Sequence, residues 1–125
     1  GVPIIVNDRV DVMLATDADG VHVGQEDMSA AAARRLIGPD KILGVSVSGS
    51  IDDARQALAD GADYVGVGAM FVTTTKAGKV AVGPGMVTKV RAAVGEGLPI
   101  VAIGGIDRTN AAACVLAGAD GVAIV

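Results

Sequence analysis

Runs of apolar, β-favouring residues alternate with helix-forming segments along the whole chain, and this alternation constrains the fold more than any other feature. Strands are predicted near 3–7, 20–24, 42–47, 64–68, 99–103 and 121–125, and helices near 9–17, 29–37, 51–60, 84–95 and 108–117. A repeated βα order of this kind calls for a parallel sheet, because each helix returns the chain to the start of the next strand by a right-handed crossover. Several helix ends are also legible. Ser50-Ile51-Asp52-Asp53 has the form of a capping box, and Gly61 and Gly118 stand where a left-handed residue would stop a helix.

One helix-to-strand turn recurs. Asp17-Ala18-Asp19-Gly20-Val21, Gly61-Ala62-Asp63-Tyr64-Val65 and Gly118-Ala119-Asp120-Gly121-Val122 are variants of it, while VPIIV, KILGV and LPIVAI form a second kind of strand between them. Strands that alternate between two kinds suit a (β/α)8 TIM barrel, whose interior layers draw on odd and even strands in turn. A doubly wound sheet gives no reason for the alternation. A full barrel takes ~200–250 residues, whereas this chain of 125 residues supplies six strands. The expectation is therefore a single partial barrel domain over residues 1–125, lacking its first two β/α units and whatever follows the last strand.

Composition excludes some functions. Hydrophobic residues make up 51% of the chain, as befits strands buried on both faces. There is one Tyr, one Phe and no Trp, and the 10 basic residues are outnumbered by 14 acidic ones. Neither a base-stacking platform nor a basic run exists, so nucleic-acid binding is not expected. No apolar stretch approaches the ~20 residues needed to span a bilayer, and no signal peptide opens the chain, which makes a cytoplasmic enzyme the expected class. The lone Cys114 lies in the helical NAAACVLAG and reads as a small core residue.

Four polar clusters sit directly behind apolar runs: Asn7-Asp8-Arg9, Gln25-Glu26-Asp27, Thr73-Thr74-Thr75-Lys76 and Gly104-Gly105. In α/β barrels the loops at the carboxyl ends of the strands carry the chemistry, so this order points to an active site. Asp8 and Asp27 follow neighbouring strands and could share one hard cation such as Mg²⁺; they could equally be loop aspartates, with Asp27 capping the helix near Ser29. Thr73, Thr75 and Lys76 lie in a long glycine-containing segment, 71–85, and offer hydroxyls and a point charge suited to phosphate. Gly104-Gly105 either brings backbone N–H groups close to a phosphate or makes a tight turn before the helix at Arg108. For Arg9, Gln25 and Glu26 the expected roles are helix-start salt bridges or surface contacts. His22 is the only histidine, set between Val21 and Val23 so that it faces the opposite side of its strand, and it reads as a hydrogen-bonded interior residue rather than a base. Ser46, at the end of ILGVSVS, is either a ligand hydroxyl or one that satisfies a turn.

Taken in order, VPIIVNDRVDVML, ADGVHVGQEDM, ILGVSVS, GADYVGVGAMF followed by TTTK, and IVAIGGI closely resemble the thiamine phosphate synthase family along essentially the entire chain. The resemblance implies a barrel running from the family's third strand to its eighth. It implies a transferase that joins hydroxymethylpyrimidine diphosphate to a thiazole phosphate, releasing pyrophosphate. It implies Mg²⁺ held by Asp8 and Asp27, Asn7 against the pyrimidine diphosphate, and Ser46 near the pyrimidine. Thr73, Thr74 and Thr75 would meet the thiazole phosphate, Lys76 the diphosphate, and Gly105 and Val125 the phosphate end. Lys76 and Ser46 would be the catalytic pair. The partners implied are these small molecules, and a homo-oligomer is compatible with the resemblance. Val72 stands where many relatives have proline. Two alternatives are a related thiazole tautomerase, which relies on a histidine after ILGVS where Ser48 and its neighbours supply none, and a phosphate-binding barrel piece without catalysis.

Overall fold

The structure is a computed structural model that describes residues 1–73 and 80–125. Six strands, β1 (Ile5–Asn7), β2 (Gly20–Val23), β3 (Ile42–Val47), β4 (Tyr64–Val67), β5 (Ile100–Ile103) and β6 (Gly121–Ala123), form one sheet in the order β1-β2-β3-β4-β5-β6. All five pairings are parallel. A doubly wound sheet reverses its strand order at a switch point. Here the order never reverses, so successive right-handed crossovers place every helix on the same side, the arrangement of a TIM-like barrel wall.

Helices α1 (Val10–Leu14), α2 (Ala30–Ile37), α3 (Ile51–Ala59), α4 (Gly85–Val94) and α5 (Ala111–Leu116) complete the βα alternation. Strand period two divides the sheet cleanly. Val21, Val23, Leu43, Val45, Val47, Val65, Val67, Ile100 and Ala102 are all buried and pack with Ala33, Ala54, Ala57, Val87, Val90 and Cys114 on the helices. Small residues at the helix positions let the helices lie close to the sheet, and the valine-rich strand positions fill the space between them. Cys114 is completely buried in this layer, as expected of a core residue, and burial pushes its thiol pKa up.

The recurring helix-to-strand turn has a physical explanation. In each copy the aspartate closes a two-bond ring with a residue at the start of the neighbouring strand, Ile4 just before β1, Leu43 in β3 and Ile100 in β5. The Asp19 carboxylate accepts from Ile4 N–H at 2.7 Å, Asp63 from Leu43 N–H at 2.8 Å and Asp120 from Ile100 N–H at 2.8 Å. The backbone N–H of each aspartate then donates to the carbonyl of the same partner. Two arginines repeat the theme. Arg34 of α2 donates to Gly38 O, Lys41 O, Gly61 O and Asp63, and Arg91 of α4 donates to Gly95 O, Leu98 O, Gly118 O and Asp120. Each guanidinium thus ties a helix end, the following loop and the next turn together at the amino-terminal face of the sheet, which in barrels serves stability.

The observed elements are shorter than expected at several ends. β1 begins at Ile5 rather than residue 3, and β6 stops at Ala123. α5 starts at Ala111 rather than 108, because Asp107 accepts from Thr109 N–H and Asn110 accepts from Asp107 N–H, giving residues 107–110 their own turn. The capping box at Ser50 does not form: Ser50 starts α3 without any side-chain cap bond. Gly61 and Gly118 have φ of +90° and +117°, the left-handed stops that were expected.

Candidate active site

The carboxyl ends of the strands open into one cavity of about 750 Å³. Asn7, Asp8, Asp27, Ser46, Thr73, Gly105 and Val125 all line it. Seven residues singled out from scattered positions in the sequence therefore meet at one place. Thr74, Thr75 and Lys76 lie outside the described residues.

Asn7 ends β1, and Asp8 turns the chain with φ 67°, the one non-glycine residue in the left-handed region among those described. Aspartate tolerates that region better than most residues. The Asp8 N–H still donates to His22 O at 2.8 Å, so the turn begins while the chain is fastened to β2. Behind β2, the Asp27 carboxylate folds back to accept from Gly24 N–H at 2.8 Å. It does not cap α2. Ser29 takes that place, accepting from Ala32 N–H at 3.2 Å. The carboxylates of Asp8 and Asp27 thus stand at the ends of adjacent strands on a shared cavity. Among the described residues no cluster of three or more His, Cys, Asp or Glu gathers. Carboxylates are the donor type that a hard cation such as Mg²⁺ takes.

Ser46 lies within β3 rather than in a turn, with its hydroxyl 2.8 Å from His22 Nε2 and its carbonyl accepting from Gln25 Nε2 at 2.8 Å. Gln25 is exposed, as expected, and from the surface it also braces β3. A run such as GQED carries no signal of this, since the contact joins the loop after β2 to the far end of the next strand. His22 is the hydrogen-bonded inward-facing residue that strand alternation implies: its Nδ1 lies 2.8 Å from Tyr64 Oη. Tyr64 was not singled out from the sequence, yet it lines the same cavity, and burial pushes its pKa up. Arg9 forms the expected helix-start ion pair, 2.6 Å from Asp11, and that hydrogen bond lowers the Asp11 carboxyl to about 2.

The glycine pair after β5 is required by the chain itself. Gly104 and Gly105 have φ of +102° and +64°, and a Cβ on Gly105 would lie 2.8 Å from Val72 O while one on Gly104 would lie 2.7 Å from Ala69 Cα. Phe71 N–H donates to Gly104 O at 3.0 Å, and Met70 N–H to Ile103 O at 2.9 Å. The glycines therefore let the segment after β4, which leads to Thr73, run against the end of β5. Gly105 is still on the cavity wall, and Asn110 Nδ2 donates to its carbonyl at 3.0 Å.

Comparison with known proteins gives these geometric findings a family. The family model described as thiamine monophosphate synthase matches residues 1–125. A thiamine-phosphate synthase of Chloroflexus aurantiacus is 59% identical over all of this chain and 56% of its own length. That of Moorella thermoacetica is 54% identical over all of this chain and 59% of its own length. The chain spans a little over half the length of these curated relatives. A solved thiamine phosphate pyrophosphorylase from Pyrococcus furiosus superimposes with a TM-score of 0.82 at 41% identity, covering 98% of this chain and 56% of that one. With a family model matched from end to end, relatives above 50% identity and the same backbone in a solved relative, this chain belongs to the thiamine monophosphate synthase family.

Proposed function

We propose that the protein containing this chain is a thiamine phosphate synthase, a transferase that couples hydroxymethylpyrimidine diphosphate with a thiazole phosphate to give thiamine phosphate and pyrophosphate. The chain supplies the third to eighth strands of its barrel and belongs to one domain. The observation that carries this reading is the convergence of Asn7, Asp8, Asp27, Ser46, Thr73 and Gly105 on one cavity at the carboxyl ends of the strands, in a chain whose relatives bear that name.

In this reading Asp8 and Asp27 would hold a Mg²⁺ ion, which would supply positive charge for the departing pyrophosphate. Asn7 and Ser46 position the pyrimidine diphosphate. Thr73, Thr74, Thr75, Gly105 and the Val125 backbone receive the thiazole phosphate. Lys76 adds charge as the carbon–oxygen bond to the diphosphate breaks and the thiazole nitrogen attacks the pyrimidine methylene carbon. Nothing in the scheme needs a covalent nucleophile, so the protein's task is placement and electrostatic stabilisation.

The test is a coupling assay on the full-length protein. Thiamine phosphate should form with Mg²⁺ and cease with excess EDTA, and Asp8→Ala or Asp27→Ala should each lower kcat/KM by at least about 100-fold, the scale of a lost transition-state charge contact. Lys76→Met should lower kcat more than it raises KM for the thiazole phosphate. Full activity of either aspartate variant in EDTA would remove the metal role, and absence of coupling in the wild-type protein would remove the assignment.

A further inference from the structure

A three-residue polar chain crosses the inner face of the sheet. Tyr64 Oη on β4 lies 2.8 Å from His22 Nδ1 on β2, and His22 Nε2 lies 2.8 Å from Ser46 Oγ on β3. Strand register makes the crossing possible. His22 pairs with Gly44, Gly44 with Tyr64, and Ser46 with Gly66. A Cβ on Gly44 would stand 2.2 Å from Tyr64 Cζ and 2.5 Å from His22 Nδ1, and one on Gly66 would stand 3.0 Å from His22 Cε1. Neither glycine has a positive φ, so what they contribute is room. The two rings lie in a slot that these missing side chains create.

The chain can carry its protons in one direction or the other, according to the His22 tautomer. Tyr64 Oη stands on one ring nitrogen of His22 and Ser46 Oγ on the other. Burial keeps the Tyr64 hydroxyl protonated. With the Tyr64 hydroxyl proton directed at Nδ1, that nitrogen is the acceptor and the ring N–H lies on Nε2. That proton goes to Ser46 Oγ. Gln25 meanwhile fixes the Ser46 backbone through its carbonyl.

We infer that His22 is a positioning residue: by holding Ser46 Oγ as an acceptor it turns the Ser46 O–H into the cavity, as a donor to an acceptor atom of the pyrimidine diphosphate. This rests on the proposed function for the identity of the ligand and on the hydrogen-bond geometry for everything else. Tyr64 acts one step further back, by setting the tautomer.

Two measurements on the full-length protein test it. Nitrogen-15 NMR of the unliganded protein, with the His22 signals identified by their loss in His22→Asn, should show Nε2 in the protonated range and Nδ1 in the bare range. Tyr64→Phe, which keeps the ring packing, should shift the proton toward Nδ1. A proton on Nδ1 in the wild-type protein overturns the inference. In steady-state kinetics, His22→Asn and Ser46→Ala should each lower kcat/KM for the pyrimidine diphosphate about tenfold, and the double variant should also lose about tenfold rather than about a hundredfold, since both remove one coupled donor. His22→Gln, whose amide nitrogen reaches toward the Nε2 position, should recover most of the loss. Additive effects with no recovery overturn the inference. If His22→Asn does not fold, Tyr64→Phe carries the kinetic test: a several-fold loss in kcat/KM supports the inference, and an unchanged rate with an unchanged tautomer sinks it. Because NMR reads the unliganded protein, a wild-type protein that makes no thiamine phosphate would sink the functional reading and leave the tautomer result standing.

Discussion

Gly44 and Gly49 stand close in sequence and differ completely in what surrounds them. An added Cβ at Gly44 would strike two rings, whereas at Gly49 it would meet nothing within 4 Å. Gly44→Ala is expected to destabilise the protein by about 1–3 kcal/mol, the usual scale of overpacking, and to depress activity by displacing His22. Gly49→Ala should be neutral or stabilising by up to about 1 kcal/mol, because it restricts the unfolded chain at no steric cost. Denaturant unfolding of both variants, with kinetics alongside, checks the pair; equal midpoints would mean the slot is not tightly filled. Strand alternation was enough to place His22 inside. It could not show that the ring would meet Tyr64, because their contact depends on Gly44 of the intervening strand, on Gly66 of β4 and on register between chain segments far apart.

Among the helices and turns, two serines that look alike in sequence separate clearly. Ser29 accepts a cap hydrogen bond from Ala32 N–H, while Ser50 makes none. Ser29→Ala should cost about 1 kcal/mol and Ser50→Ala less than about 0.5 kcal/mol, read from denaturation midpoints. The arginine clamps make a sharper case. Arg91 is mostly buried and satisfies carbonyls from three segments, so Arg91→Met should cost about 2 kcal/mol by leaving acceptors unpaired. Asp120 titrates below the ordinary carboxylate range, chiefly because its carboxylate accepts the Ile100 N–H and secondarily because Arg91 lies beside it. A folded-state pKa below the unfolded one means that this stabilisation is fully present above the ordinary carboxylate pKa and disappears as pH falls through the depressed value. Stability measured from pH 6 downward should therefore fall less steeply in Asp120→Asn than in the wild-type protein; identical slopes would show that the carboxylate charge contributes nothing.

At the scale of the whole molecule, β1 and β6 form the two ends of the described sheet, and Val2, Ile4, Ile124 and Val125 beside them are exposed. An apolar edge with unpaired backbone groups recruits other strands, and no lysine or other charge guards either of these edges. The 125-residue chain alone is expected to self-associate in sedimentation velocity. A single monomeric species at micromolar concentration would contradict this.

Local rules were sufficient for a good part of the protein. Apolar periodicity marked the six strands and five helices, left-handed glycines marked two helix stops, and the placement of polar clusters behind buried runs pointed to Asn7, Asp8, Asp27, Thr73 and Gly105, with Ser46 and Val125 added by the family resemblance, before any of them could be seen to share a cavity. Each of these signals acts within a few residues, so the sequence carries it alone. Why Gln25 faces β3, why Asp19, Asp63 and Asp120 recur and how Tyr64 reaches His22 were decided by tertiary structure. Those contacts join segments one or two βα units apart, where parallel register, rather than local preference, determines which groups come within hydrogen-bonding distance.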